Sequence, residues 1–356
     1  MIYVDENITP VDDVNTPFEY RDVKIKNDEN PLDKYIILPE LGRGSFGTVF
    51  YCKERQNNME LAVKVVGYKK KKEKIMMETE INILASLHHP AIIVIYDAFD
   101  YGNKLYCFME LIQGGELFDR VIETDFVLTE RACACFIRQI CDAVEYMHSK
   151  RIIHLDLKPE NVLCISKQGN RIKIIDFGFA RRYNPNKNLQ VMFGTAEFSA
   201  PEVVLFEDIG PFTDMWSIGV ICYVLLSGLS PFVGADDYET MTNVSFAKYS
   251  FDYAPFNEIS SVAKDFLAEL LVKESSNRMT AKNALKHEWL IQLDSLSPGV
   301  TLSLTKTKLK RYVILRRALR VQRVKHFDED YLNDEDINKQ HYQDIIGFIK
   351  DIGILT

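Results

Sequence analysis

His154-Leu155-Asp156-Leu157-Lys158-Pro159-Glu160-Asn161, with Asp176-Phe177-Gly178 downstream, is the stretch on which the interpretation of this chain turns. Its polar residues are the parts that a phosphate-transfer site needs, in a fixed order. Asp156 suits a base that accepts a hydroxyl proton and aims that oxygen in line with a terminal phosphate. Lys158, two residues on, can neutralise charge developing on the transferred group. Asn161 and Asp176 offer oxygen ligands of the hard type that Mg2+ requires, and the ion would bridge β- and γ-phosphate oxygens. Any one of these tripeptides recurs by chance; the ordered series does not. His154 is expected to be packed rather than to act as acid or base.

Working outward, Leu41-Gly42-Arg43-Gly44-Ser45-Phe46-Gly47-Thr48-Val49 sets glycines between two strand-like runs, where backbone N–H groups can approach phosphates without a Cβ in the way. A dinucleotide-binding loop of this spacing opens a helix, whereas here a strand follows. Lys64 lies in the apolar run Leu61-Ala62-Val63-Lys64-Val65-Val66, where an ammonium is costly to bury without a partner. Glu80 on the next helical stretch is its natural counter-charge, and the pair would clamp the α- and β-phosphates of ATP. A snorkelling surface lysine is the other interpretation. Met109-Glu110-Leu111-Ile112 falls where the strand-like part ends, so the main-chain groups of Glu110 and Ile112 could bond adenine. Glu202 is expected to pair with Arg278, and Asp214 with the backbone of the catalytic stretch. Leu84, Phe177 and His154 are expected to form an apolar column between the two halves.

The texture changes along the chain. Residues 1 to about 33 are polar, acidic and aperiodic and are expected to be an extension outside any core. Residues 34–111 alternate short β-branched runs with one helix over 70–87, opened by Lys69-Lys70-Lys71-Lys72, a solvated loop and helix start. From 112 to 290 the periodicity is helical, with segments over 130–148, 213–229, 262–272 and 281–290. The expected fold is therefore α+β and bilobal, with a cleft between a small β lobe and a larger α lobe. A net charge of −8 does not suit nucleic acid or a membrane surface as partner. There is no apolar run of the ~18 residues that span a bilayer and no signal-like N-terminus. The seven cysteines form no CxxC pair and suit reduced, buried thiols. A cytoplasmic monomer, free or attached to the cytoskeleton, is the expectation.

Over roughly 34–290 the sequence resembles the eukaryotic protein kinase superfamily, in its calmodulin-dependent group, and most closely the myosin light chain kinases. The likeness rests on Tyr20-Arg21-Asp22-Val23, Leu87-His88-His89-Pro90, Gly114-Gly115-Glu116-Leu117-Phe118 and Asp125-Phe126-Val127-Leu128-Thr129-Glu130-Arg131. It extends over Gly194-Thr195-Ala196-Glu197-Phe198 and Asp214-Met215-Trp216-Ser217-Ile218-Gly219-Val220-Ile221-Cys222-Tyr223. Titin/twitchin-like and death-associated kinases share much of this wording. The resemblance implies transfer of the ATP γ-phosphate, with Mg2+, to Ser or Thr of a protein, with myosin regulatory light chain as the leading substrate. It implies that Leu41, Gly42, Gly44, Gly47, Val49, Ala62, Ile112 and Leu163 surround the nucleotide. Thr195 would belong to the catalytic surroundings, and Glu116, Glu160 and Glu197 would meet basic residues of the substrate. A kinase-like scaffold without catalysis is the alternative, but such proteins usually lose a lysine, base or metal ligand that is present here.

One departure from the commonest kinase pattern redirects attention to the tail. Leu155 stands where most kinases carry an arginine that binds a phosphate on the activation loop, so control is expected elsewhere. Residues 306–325 carry Lys306, Lys308, Lys310, Arg311, Arg316, Arg317, Arg320, Arg323 and Lys325 with no acid among them. Apolar residues are interleaved, and Ile314, Val321 and Phe327, or Leu315, Leu319 and Val324, would anchor a calmodulin-type partner. The tryptophan usual at such a segment is absent, with Leu319 near its place. The segment over 306–327, within a regulatory tail 291–356, is expected to occupy the substrate groove until calmodulin removes it. Permanent docking on the acidic surface is the other possibility. An acidic run from Asp328 to Asp336 follows, and a last helix is expected over 337–352.

Overall fold

The computed structural model describes residues 20–44, 47–167, 169–190, 195–292 and 300–330, with side chains of the last segment described through Ala318. The small lobe is built on β1 (Ile25–Asn27), β2 (Tyr35–Gly44), β3 (Gly47–Glu54), β4 (Glu60–Gly67), α1 (Lys71–Ala85), β5 (Ile95–Tyr101) and β6 (Lys104–Glu110). The sheet order is β1-β5-β6-β4-β3-β2. All neighbours run antiparallel except β1, which lies parallel to β5. The face of the sheet away from α1 packs Tyr35, Cys52, Leu61, Val63, Phe99 and Phe108 into a cluster of its own.

β1 corrects one expectation. The segment 20–33 is not wholly outside the core: Val23 is buried, Lys26 pairs with Asp97 at 2.6 Å, and Arg21 lies 4.0 Å over the Tyr96 ring. Three residues of strand are too few for a period to show, and it is the partner edge of β5 that recruits them.

The large lobe begins with α2 (Leu117–Ile122) and α3 (Glu130–Ser149), followed by β7 (Ile152–Ile153), β8 (Val162–Cys164), β9 (Ile172–Ile174) and β10 (Arg181–Arg182). Then come α4 (Pro201–Val204), α5 (Pro211–Ser227), α6 (Asp237–Ser245), α7 (Ser261–Leu270), α8 (Ala281–Ala284), α9 (Glu288–Ile291) and α10 (Ser303–Asp330). Thr129 caps α3 by accepting from the Ala132 N–H at 3.1 Å. α5 starts at Pro211, ends on Gly228 in the left-handed region at φ 68°, and is buried from Thr213 to Ser227. An apolar helix of that kind has no solvent face, and it forms the lobe's axis. The helix expected over 281–290 is instead α8 and α9, separated where the His287 ring accepts from the Trp289 N–H and restarts the turn. All seven cysteines are buried and unbridged. Among the described residues no helix is long and apolar enough to cross a membrane.

Two buried charges brace this lobe. Arg278 grips Glu202 through both nitrogens, at 2.8 and 3.0 Å, as expected from the sequence. Glu202 also accepts from Thr213 Oγ1 at 3.0 Å, and Arg278 lies over the Trp216 ring. Removing one member of such a pair typically costs about 3–5 kcal/mol, because the other charge is left buried alone.

Candidate active site

The cleft between the lobes gathers the residues singled out from the sequence. Lys64 points from β4 to Glu80 on α1 at 2.7 Å and to Asp176 at 3.3 Å, with its side chain only 13% exposed. It does not snorkel. Burial alone would lower its pKa, but Glu80 and Asp176 outweigh that and hold it above the ordinary lysine value. Gly47 is required by packing as well as by any ligand. At φ 150° an added Cβ would meet Val66 Cγ2 at 2.3 Å and Val65 O at 2.6 Å. Gly42 pairs with Val49, and Gly44 with Gly47, in the β2–β3 ladder. Ala62 is buried, Val49, Ile112 and Leu163 are half-buried, and Leu41 is exposed.

Opposite lies the catalytic stretch, between β7 and β8. Asp156 is 6% exposed. Its Oδ2 accepts from Lys158 Nζ at 2.7 Å and from Asn161 Nδ2 at 3.0 Å. Burial raises its pKa above the ordinary aspartate value, against the pull of Lys158. Asn161 turns its amide nitrogen to Asp156, which leaves its carbonyl oxygen as the acceptor end. Asp176 is drawn in the other direction: burial would raise its pKa, but Lys64 and Lys158 bring it below the ordinary value, so it stays a carboxylate. Two oxygen donors of this kind fit a divalent metal of the Mg2+ class.

The positions of these groups are fixed from beneath. Leu155 and Asp176 both have positive φ, 66° and 61°, an uncommon conformation outside glycine that surrounding bonds must hold. Asp214 at the start of α5 does this for the loop, accepting from the N–H groups of His154 at 2.9 Å and Leu155 at 2.8 Å and from His148 Nε2 at 2.8 Å. The His154 ring meets Phe177 edge-on at 4.8 Å and is buried, which lowers its pKa. Leu84 belongs to the same buried cluster. Thr195 is half-buried and lines one cavity with Leu155, Asp156 and Leu157.

Asp214 carries a pH prediction. Burial would raise its pKa, but the His148 bond and the nearby histidines hold it below the ordinary 3.8. A folded-state pKa below the unfolded value stabilises the fold at pH above the unfolded value. That contribution disappears as pH falls through the folded value. Melting temperature should therefore fall more steeply below about pH 4 in the wild type than in Asp214→Asn, measured by circular dichroism.

The tail packs on the large lobe and reaches Glu160 of the catalytic stretch. Leu302, just before α10, and Thr305, Leu309 and Val313 within it are buried. The Leu302 N–H donates to Leu128 O, and Thr305 Oγ1 to Leu226 O, both at 2.9 Å. Gly228 lies directly beneath: a Cβ there would sit 2.5 Å from Leu309 N and 2.6 Å from Thr305 O. Further on, Tyr312 donates to Glu197 at 2.8 Å, and Arg316 bridges Glu160 at 3.0 Å and Glu197 at 2.6 Å. Burial would raise the pKa of Glu160, but Arg316 outweighs it and holds the carboxyl below the ordinary value. Arg317 reaches Asp119, which the sequence did not single out. Glu116 lines the groove of these contacts. Ile314 and Leu315 face away, 64% and 57% exposed. The side chains of Leu319, Val321, Val324 and Phe327 lie outside the described residues, as does the helix expected over 337–352.

Lys173 also went unnoticed, although a lysine within Ile172-Lys173-Ile174-Ile175 is the same signal that picked out Lys64. It is buried and pairs with Glu110 at 2.6 Å.

Comparison with known proteins places the chain in a family. The protein kinase domain family model matches residues 35–290. Myosin light chain kinase 2 of skeletal and cardiac muscle from Rattus norvegicus is 45% identical over 303 residues, 85% of this chain and 50% of that protein. The smooth muscle myosin light chain kinase of Gallus gallus is 46% identical over 302 residues, 85% of this chain and 16% of that protein. The chain thus spans about half the length, or less, of these relatives. Among solved structures, a twitchin kinase fragment of C. elegans, described as an autoregulated protein kinase with immunoglobulin domains, superposes with a TM-score of 0.78. It is 36% identical, covering 86% of this chain and 67% of that one. The autoinhibited serine kinase domain of titin gives 0.74 at 36% identity, covering 79% of this chain and 88% of that one. The chain belongs to the protein kinase family, with myosin light chain kinases among its relatives and twitchin and titin kinases among its structural neighbours.

Proposed function

We propose that this chain transfers the γ-phosphate of ATP to serine or threonine hydroxyls of a protein bearing basic residues, and that α10 holds it inactive. The observation that carries the first half is the convergence of Asp156, Lys158, Asn161 and Asp176 opposite the Lys64–Glu80 pair. Asp156 accepts the substrate proton, Lys158 offsets charge on the moving group, and Lys64 orients the phosphates. Main-chain groups of Glu110 and Ile112 receive adenine, within walls from Leu41, Val49, Ala62 and Leu163, under the glycines 42, 44 and 47. Asn161 and Asp176 would hold a magnesium ion, which would supply neutralisation of the phosphate charge.

The second half rests on Arg316. Its bonds to Glu160 and Glu197 occupy carboxylates that a basic substrate would need, with Glu116 and Thr195 close by. The names of the relatives, myosin light chain kinases of muscle, support a myosin light chain as substrate and a cytoskeletal location, and the basic residues and interleaved apolar residues of α10 suit calmodulin as the activator. Ile314 and Leu315 remain open to an activator while Tyr312 and Arg316 are engaged, so a partner can begin to bind before the tail leaves. The kinase domain is taken as 34–290, with its lobes meeting at 111, the regulatory tail as 291–356, and 20–33 as a strap on the small lobe. Incubation with Mg·ATP and a serine peptide carrying upstream arginines tests the activity. Phosphoserine on the peptide is expected once the tail is displaced, and no transfer under any condition would contradict it.

A further inference from the structure

The Lys173–Glu110 ion pair lies outside everything assigned so far. Both side chains are nearly sealed from water, 2% and 9% exposed. Lys173 Nζ contacts Glu110 Oε1 at 2.6 Å and donates to Ile92 O at 3.1 Å. Glu110 Oε1 accepts in addition from the Val94 N–H at 2.7 Å, while the Glu110 N–H donates to Val94 O at 3.0 Å. The strand that carries Lys173 is tied to the same connecting segment by its backbone: Ile174 N–H to Ala91 O at 2.8 Å, and Ile93 N–H to Ile174 O at 3.0 Å. One ammonium therefore joins the segment after α1, the end of β6 where the chain crosses between lobes, and β9, which leads through Ile175 into Asp176.

We propose that Lys173 is a positioning residue for the nucleotide, one that sets the adenine-binding main chain at 110–112 in register with the metal-binding carboxylate Asp176. This rests on the kinase reading above. A buried ion pair is a poor device for stability, since apolar residues of the same volume do as well or better. Its use is geometric: it has one arrangement that satisfies all partners. The two ends it joins must each hold one end of the same ligand. A displacement of about 1 Å between groups that share a ligand is enough to lose a large factor in rate.

The test compares Lys173→Met, Lys173→Arg and the double variant Lys173→Met/Glu110→Gln, all in the full chain carrying Arg316→Glu so that the groove is open. Melting temperature, KM for Mg·ATP and KM for a basic serine peptide are measured. Lys173→Met is expected to raise KM for ATP about tenfold or more, with KM for peptide within about twofold. Lys173→Arg should recover most of the loss. The double variant should regain melting temperature, because no charge is left buried alone, yet keep the raised KM for ATP. If Lys173→Met does not fold, the double variant reports the same constant. An unchanged KM for ATP, or a double variant that regains it along with stability, overturns the proposal. A parent that transfers no phosphate would instead overturn the kinase reading.

Discussion

Replacing Asp156 with asparagine is expected to lower kcat by about a thousandfold while leaving the fold and KM for ATP close to wild type, within the range for loss of a general base. The carboxylate is 6% exposed and accepts from Lys158 and Asn161 through one oxygen. Asparagine has the same shape and an oxygen for those donors, so packing is retained. What it lacks is the capacity to take a proton. Burial holds the Asp156 pKa above the ordinary aspartate value, which makes it a stronger base than an exposed aspartate. Steady-state assays with the tail displaced would check this, and a variant retaining more than about a tenth of wild-type kcat would remove Asp156 from that role.

Arg316→Glu should do the opposite and raise activity in the absence of any activator by about thirtyfold or more. Arg316 is 17% exposed at its side chain, Glu160 15% and Glu197 9%, so little screening intervenes. Disrupting a hydrogen-bonded, desolvated charge pair costs about 2–5 kcal/mol, where about 1.4 kcal/mol is tenfold in an equilibrium. Reversal also sets a third carboxylate against two others. The anchored part of the helix is untouched, because Leu302, Thr305 and Leu309 are buried independently of Arg316. Basal rates of the two proteins at equal concentration would show the effect, and equal rates would remove Arg316 from the inhibitory contact.

What could be read from residues alone divides along a physical line. The catalytic stretch was legible because the reaction fixes residue types and their order. The Lys64–Glu80 pair and the Glu202–Arg278 pair followed from the cost of burying a lone charge. By that rule Lys173 was legible too, but its partner Glu110 had already been given a main-chain role. The strap at 20–33 was not legible, since three residues of strand are decided by the neighbour that receives them. In the tail, charge and apolar spacing marked the helix, yet not which face would dock. The docked set, buried 302, 305, 309 and 313 with half-buried 316, follows steps of three and four, and it leaves Ile314 and Leu315 outside. Only the lobe supplied the reason, through Gly228, which lets the helix backbone approach.

Light-chain phosphorylation offers the most direct measurement of control by α10. The full chain is compared with one ending after Arg311, which keeps Leu302, Thr305 and Leu309 and removes Tyr312, Val313 and Arg316, each with and without Ca2+ and calmodulin. The account predicts a low basal rate for the full chain that calmodulin raises, and a shortened chain that is fast without calmodulin. Equal basal rates for the two chains would contradict it.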